Sequence, residues 1–318
     1  MRVAIFGGTG FVGSYLIDAM VEAGITPVVL VRPGHEHRLR HPDQCRVVSG
    51  DIGDQTAIAS AIDGADVVIY NIGILREAPG RDITFGELQD RAARRVIDSA
   101  RRAGVQRFLL MSANGVDAET TEYQITKRRA EIHLEASGLD WTIFRPSVVF
   151  GDPRGRMEFA TQLKQDIIES LIPAPLFFDG FDPRRAGTFE MSPVHVHDVA
   201  DAFVAALRTP STIGQTLHLG GPEPVSWQAI LKTIAAASGK KRPMIPVPAI
   251  GVRMAATLLD RWERFPVTGE QIQMLLQGNV CPPDDLVRLG IDPTPFSVDS
   301  LQYLATPADD PRGHQHAA

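Results

Sequence analysis

The stretch "VAIFGGTGFVGSYLI", residues 3–17, decides how this chain folds. An apolar run from Val3 to Phe6 enters glycines at positions 7, 8, 10 and 13, and an amphipathic segment follows. A continuous apolar run closed by glycine reads as a buried strand, and the periodic segment behind it as a helix. Three of the glycines answer separate physical demands. Gly7 permits a tight turn, Gly10 a close backbone approach to a pyrophosphate, and Gly13 a helix pressed against the strand. The helix N-terminus then presents its N–H groups and positive dipole end to the phosphates. A dinucleotide site at the mouth of the first strand is the expectation.

The same rhythm continues to residue 150. Strands are expected at 2–8, 27–32, 45–51, 66–73, 107–113 and 141–150, with helices at 12–24, 55–64, 85–104 and 122–138. The helices stop at Gly24, Gly64, Gly104 and Gly138, where left-handed caps are easily made. Strands this apolar must be covered on both faces. The predicted class is therefore α/β, a Rossmann-like doubly wound parallel sheet with a smaller, interleaved C-terminal substrate region. Proline-rich connections such as "IPAPLFF" and "KKRPMIPVPAIG" mark the change of texture after Gly151. The expected division is 1–150 for the nucleotide-binding domain, with 192–210 returning to it. Residues 151–191 and 211–305 form the smaller region, in which "QTLHLGG" reads as a strand and "SWQAILKTIAAASG" as a helix, and 306–318 form a disordered tail.

Composition limits the partners. Over 318 residues the chain is 44% hydrophobic and 22% charged, with no charge-free apolar run of about 18 residues to span a bilayer. A net charge of -6 and 7% aromatic residues argue against a nucleic-acid surface. Cys45 and Cys281 stand apart, as in a reducing compartment, and the opening "MRVAIFGG" lacks the layout of a secretory signal. A cytoplasmic monomer or homodimer acting on a small molecule, without a bound metal, is the expectation.

Cofactor choice is read at the end of the second strand, in "VVLVRPGHEHR", residues 28–38. An acid there would accept from a ribose 2′-hydroxyl, whereas Arg32, assisted by Arg38, suits a 2′-phosphate. NADP(H) is thus favoured over NAD(H), the alternative being two solvated surface arginines. Asp51 and Ile52 follow the third strand, and Asn71, Ile72 and Gly73 the fourth, all at carboxyl ends where open α/β sheets bind ligands.

Chemistry is suggested by "TTEYQITKRRAE", residues 120–131. Tyr123 and Lys127 are one helical turn apart and share a face. A compact ammonium beside a phenol would favour the phenolate and lower its pKa. Residues 1–163 contain eighteen arginines and a single lysine, Lys127, so a lysine is chosen where arginine is the habit.

The pieces "GGTGFVG", "GDI", "NIG", "MSANGV", "YQITK", "FRPSVVFG" and "VHVHDVADA", in this order over residues 1 to about 230, resemble the extended and atypical short-chain dehydrogenase/reductases. Within them the chain looks most like the branch of the nucleotide-binding accessory subunit of respiratory complex I. The resemblance implies that Gly7, Thr9, Gly10, Phe11, Val12 and Gly13 hold the pyrophosphate and that Asp51 and Ile52 meet the adenine. It places Asn71 to Gly73 along the adenosine-side ribose or the central part of the cofactor, and Pro146 and Val148 at the nicotinamide. Tyr123 would move the proton, and Lys127 would hold the nicotinamide ribose. Two departures are visible. The assisting hydroxyl of many members falls where this chain has Ala113, leaving Ser112 or Asn114 for that part. Tyr123 also follows Ser112 by eleven residues, a short loop for a sugar-nucleotide epimerase.

The leading expectation is an NADP(H)-dependent oxidoreductase that reduces a carbonyl or oxidises an alcohol on a small apolar substrate. The alternatives are a non-catalytic NADP(H)-binding structural or sensing subunit of a larger complex, and a nucleotide-sugar epimerase or dehydratase. His195, His197 and Asp198 alternate as metal ligands might be spaced, but read better as structure, with Asp198 capping the next helix. In residues 248–265, Ile250, Met254 and Leu258 share a face that suits a lid or core packing, with peripheral membrane contact as the alternative.

Overall fold

Strand β1 (Arg2–Phe6) is buried from Val3 onward and lies at the reversal point of a seven-stranded parallel sheet. The computed structural model describes residues 1–74, 76–78, 80, 83–249, 269–282 and 284–305. On one side of β1 lie β2 (Thr26–Val31) and β3 (Arg46–Ser49). On the other lie β4 (Val67–Tyr70), β5 (Arg107–Met111), β6 (Asp140–Pro146) and an edge strand, Gln215–Leu219. The chain builds outward from β1 in one direction, then returns and builds in the other. This leaves a crevice beyond the ends of β1 and β4.

The period of two along each strand sends alternate residues to opposite faces. Ala4 and Phe6, with Val28, Leu30, Val68, Tyr70, Phe108 and Leu110, pack under α2 (Gln55–Ile62), α3 (Ala92–Arg102) and α4 (Glu122–Glu135). The opposite face is covered by α1 (Phe11–Glu22) and the helix Val196–Arg208. There Phe203 stacks on Phe144 of β6, with centroids 3.9 Å apart. Burial on both faces is the reason the strands could be read as unbroken apolar runs.

The expected strand at 141–150 divides. β6 stops at Pro146, and Val149–Phe150 pairs instead with Val194–His195. Proline has no N–H to continue a ladder, and here the chain passes into a second unit. The expected helix at 85–104 begins with a wider π-turn, Gly86–Arg91, which carries the buried polar residues Gln89 and Asp90. Asp198 lies inside the first turn of Val196–Arg208, so it is not the cap ahead of that helix that was expected.

Among the described residues the first unit draws on 1–146, 196–219 and 282–292, and the second on 147–195, 220–249, 269–281 and 293–305. In the second, parallel strands Ala174–Phe178 and Met244–Pro248 pair beside helix Trp227–Ala237. Trp227, Ile230, Leu231 and Ile234 of that helix join Phe150, Phe177 and Leu301 in its core. The patterned face of Ile250, Met254 and Leu258 and the tail 306–318 lie outside the described residues.

One ion pair fixes α4 to the sheet. Arg145 points from β6 to Glu131 of α4, with Nε to Oε1 at 2.9 Å and Nη2 to Oε2 at 2.6 Å, and also donates to Asp117. Glu131 is fully buried, so removal of Arg145 leaves its carboxylate with Arg128 as its remaining ion-pair partner in a poorly solvated place. Arg145→Met is expected to lower stability by about 3 kcal/mol, and Arg145→Met/Glu131→Leu to recover most of that loss. Urea unfolding at pH 7 checks both, and a double variant as unstable as the single one would contradict the account.

Candidate functional site

The loop after β1 is shaped to receive an anion. A Cβ on Gly13 would lie 2.1 Å from the Gly7 carbonyl oxygen, and one on Gly8 2.7 Å from Val29 Cγ1. Gly7 has φ +97°, and a Cβ there would strike the Asn71 backbone at 2.9 Å. Any larger residue would push helix from strand. Gly10 is the N-cap of α1 and supplies no side-chain cap to its first turn. The first turn also holds no acid. Its backbone N–H groups and dipole end thus meet no carboxylate from their own turn, which suits a pyrophosphate cradle. The residues present fit a dinucleotide.

Arg32 follows β2 directly and is exposed, as are Arg38 and His37. Partial desolvation first, then the charges of Arg32 and Arg38, hold His35 below the usual imidazole range. The loop is therefore positive. Asp51 spends one oxygen on the Gly53 N–H at 2.9 Å, closing the turn into α2, while Ile52 joins the core beneath. Asn71 donates its N–H to Phe6 O at 2.8 Å, which draws the ends of β1 and β4 together at the crevice. Pro146 closes β6 and accepts from Asn114 N at 2.8 Å. Val148 belongs to the second unit, where its carbonyl accepts from Val194.

Helix α4 starts where it does because Thr121 and Gln124 form a capping box, each side chain bonded to the other's backbone N–H. Gln124 also donates to Gly115 O at 2.9 Å, tying the preceding loop to the helix. Tyr123 thus falls in the first turn, and Lys127 on the turn that faces the sheet. Lys127 Nζ donates to Met111 O at 2.9 Å and lies 3.5 Å from Ile72 O, between the ends of β5 and β4. A Cβ on Gly73 would sit 3.4 Å from the same Nζ. The structure therefore gathers Lys127 with Ile72, Gly73 and Met111, next to Ser112.

Ser112 separates itself from Asn114 here. Its Oγ is buried with no hydrogen-bond partner among the described residues. Asn114 Oδ1 is engaged by His218 Nδ1 at 3.0 Å. An orphaned buried hydroxyl loses hydrogen bonding unless a ligand supplies it. The first candidate hydroxyl is thus the one left open.

The expected lowering of the tyrosine pKa does not occur. Burial pushes Tyr123 up to about 12, and Phe85 meets its ring edge-on at 5.7 Å. Burial also lowers Lys127 to about 8, against the opposing pull of Glu131. The ammonium shares the tyrosine's helix face, but its hydrogen bonds go to backbone carbonyls. At neutral pH Tyr123 is a phenol with a proton to give.

Glu131, Arg145 and His218 were not singled out by the sequence. A signal existed for two of them: Glu131 stands four residues after Lys127 on the same helix, and Arg145 interrupts an apolar strand. A buried arginine requires a nearby acid. His195 packs edge-on against Phe150, with centroids 5.1 Å apart, and His197 against Tyr15 at 4.7 Å. The two histidines lie in different units.

Residues 7–170 match a family model described as NAD(P)H-binding. A ceramide reductase of Caulobacter vibrioides is 28% identical over 264 residues, covering 82% of this chain and 78% of that protein. The mitochondrial NADH-ubiquinone oxidoreductase 40 kDa subunit of Neurospora crassa is 25% identical over 314 residues, covering 94% and 78%. Among solved structures, a UDP-glucose 4-epimerase of Thermus thermophilus in complex with NAD superposes with a TM-score of 0.70 at 18% identity, covering 96% of this chain and 98% of that one. At that identity the likeness concerns the fold.

Burial of the Lys127 ammonium has a pH signature. Its folded pKa of about 8 lies below the ordinary 10.5, so between those values the unfolded chain binds the extra proton and stability rises with pH. Relative to Lys127→Met, the native chain is expected to gain up to about 3 kcal/mol across that window. Thermal melts of both proteins from neutral to alkaline pH measure it, and parallel curves would show that Lys127 is solvated.

Proposed function

Because the chain belongs to the NAD(P)H-binding family over residues 7–170, we propose that it is an NADP(H)-dependent oxidoreductase of the short-chain dehydrogenase/reductase type. It reduces a carbonyl on a small apolar substrate, or oxidises the matching alcohol. The observation that carries this reading is the buried, unpartnered Ser112 Oγ beside Met111, whose carbonyl holds Lys127. A nicotinamide, when bound, supplies the hydride. The chain has to position the partners and deliver a proton to the oxygen.

Each residue has a part its surroundings support. The glycine loop and the N-terminus of α1 bind the pyrophosphate, and Arg32 with Arg38 receives a 2′-phosphate. Ser112 Oγ donates to the substrate oxygen and holds it in place. Tyr123, a phenol at neutral pH, donates the proton that completes the alcohol. Lys127 holds the ribose hydroxyls and offsets the charge left on the phenolate. A relative named ceramide reductase favours the reducing direction and an apolar substrate.

Similarity to a complex I subunit supports a second reading, in which the same site holds NADP(H) within an assembly without turnover. NADPH consumption against a panel of aldehydes, ketones and quinones separates the two. Under the enzyme reading Tyr123→Phe loses roughly 10²–10⁴-fold in kcat with NADPH affinity little changed. Turnover that survives the change removes Tyr123 from the chemistry, and a chain that binds NADPH but turns over nothing in the panel favours the second reading. Arg32→Asp is expected to move the NADPH-to-NADH preference by at least about tenfold toward NADH. Titration of both nucleotides measures this, and an unchanged ratio clears Arg32 of the assignment.

A further inference from the structure

At one end of the paired strands in the second unit, two chain segments expose aliphatic side chains beside a cluster of cations. Residues 169–173 lead into strand Ala174–Phe178, and residues 239–243 into Met244–Pro248. The strands run parallel, with Ala174 opposite Met244, so both lead-in segments lie at the same end. They are also tied to one another. Ala174 N donates to Pro243 O at 2.9 Å, Arg242 Nη2 donates to the Ile172 carbonyl, and Lys240 Nζ lies 3.2 Å from Glu169 Oε1.

Leu171 is 98% exposed and Ile172 71%, with Ile245 at 42% on the adjoining strand. Single exposed aliphatics are ordinary, but an adjacent pair held out on a tied loop is not. The charge around them runs against the rest of the molecule. The chain carries a net charge of -6, yet Lys164, Lys240, Lys241 and Arg242 stand here against Glu169 and Asp166, a local excess of two positive charges. Three of the five lysines in the sequence are at this end.

We propose that this end of the second unit docks on an anionic lipid bilayer. Leu171 and Ile172 enter the boundary between headgroups and acyl chains, and Lys240, Lys241 and Arg242 rest on the headgroup phosphates. Exposed aliphatic side chains flanked by cations match both layers of such a surface, the apolar one beneath and the negative one above. A second copy of the chain is a poorer occupant, because two-fold pairing through the patch would set one cluster of cations against another. Two aliphatic side chains and a few cations give weak, reversible, salt-sensitive attachment. The docking does not rest on the oxidoreductase reading and would serve either function.

The test is co-sedimentation of the full chain with large vesicles. One set contains roughly seven parts phosphatidylcholine to three of phosphatidylglycerol, and the other phosphatidylcholine alone. The expected result is binding to the mixed vesicles at about 0.1 M salt, little binding to the neutral ones, and release at about 1 M salt. Leu171→Ser/Ile172→Ser and Lys240→Glu/Lys241→Glu should each weaken binding at least about tenfold with an unchanged melting midpoint. Phe181→Ser should leave it intact, since Phe181 is fully exposed but lies beyond the opposite end of strand Ala174–Phe178. The proposal is overturned by no binding to mixed vesicles, by equal binding of wild type and either double variant, or by equal loss with Phe181→Ser. It is equally overturned if the free chain is a dimer that Leu171→Ser/Ile172→Ser separates.

Discussion

A buried ammonium, that of Lys127, organises the candidate site. An isolated cation in this position would be costly, and the sheet supplies what it needs at strand ends where carbonyls are left over. Met111 and Ile72 stand at or beyond the carboxyl ends of neighbouring parallel strands, where no further ladder bonds consume their oxygens. Lys127 therefore joins α4 to β5 and to the segment after β4 with one group. The constraint propagates along the helix: the position of Lys127 fixes the position of Tyr123 one turn earlier, and the Thr121–Gln124 box fixes where that turn begins.

The charge behind the site continues the same logic. Glu131, four residues on, opposes the desolvation of Lys127, and is itself held by Arg145 from β6 and Arg128 from its own helix. Arg145 extends the series outward to Asp117, whose carboxyl it holds below the usual range. Alternating charges thus run from the loop after β5 to the buried lysine, each member answering the next. Such a series adds little net stability over apolar packing, but it fixes register, because a slipped α4 would leave several buried charges without partners.

The glycine loop, the alternation of elements and the parallel sheet were legible because each rests on local physics. Apolar runs, glycine turns and helix periodicity are properties of short segments. The pair Tyr123/Lys127 was legible for the same reason, since four residues on a helix set a shared face. What the sequence misjudged was the sign of the Tyr123 shift. Proximity on a helix face predicts a favourable charge nearby, whereas desolvation pushes the phenol up and the ammonium bonds to backbone carbonyls instead. Those are long-range facts, with Met111 and Ile72 lying 16 and 55 residues from Lys127. The break after Pro146 was hidden differently, because "SVVF" has strand propensity but finds its partner at Val194–His195 in the second unit.

On the proposed oxidoreductase reading, the tyrosine bears on the absence of a hydroxyl at Ala113. A phenolate acting as base would need strong nearby stabilisation, and a chain lacking one usual hydroxyl would be poorly supplied for it. A protonated phenol acting as acid asks for less. It requires a substrate oxygen held within reach and a positive charge to receive the phenolate after transfer. Ser112, one residue earlier, offers the first, since its buried Oγ meets no acceptor or donor among the described residues. Lys127, charged below a pKa of about 8, offers the second. The buried ammonium beside an orphaned hydroxyl is a property of the fold that no four-residue motif encodes.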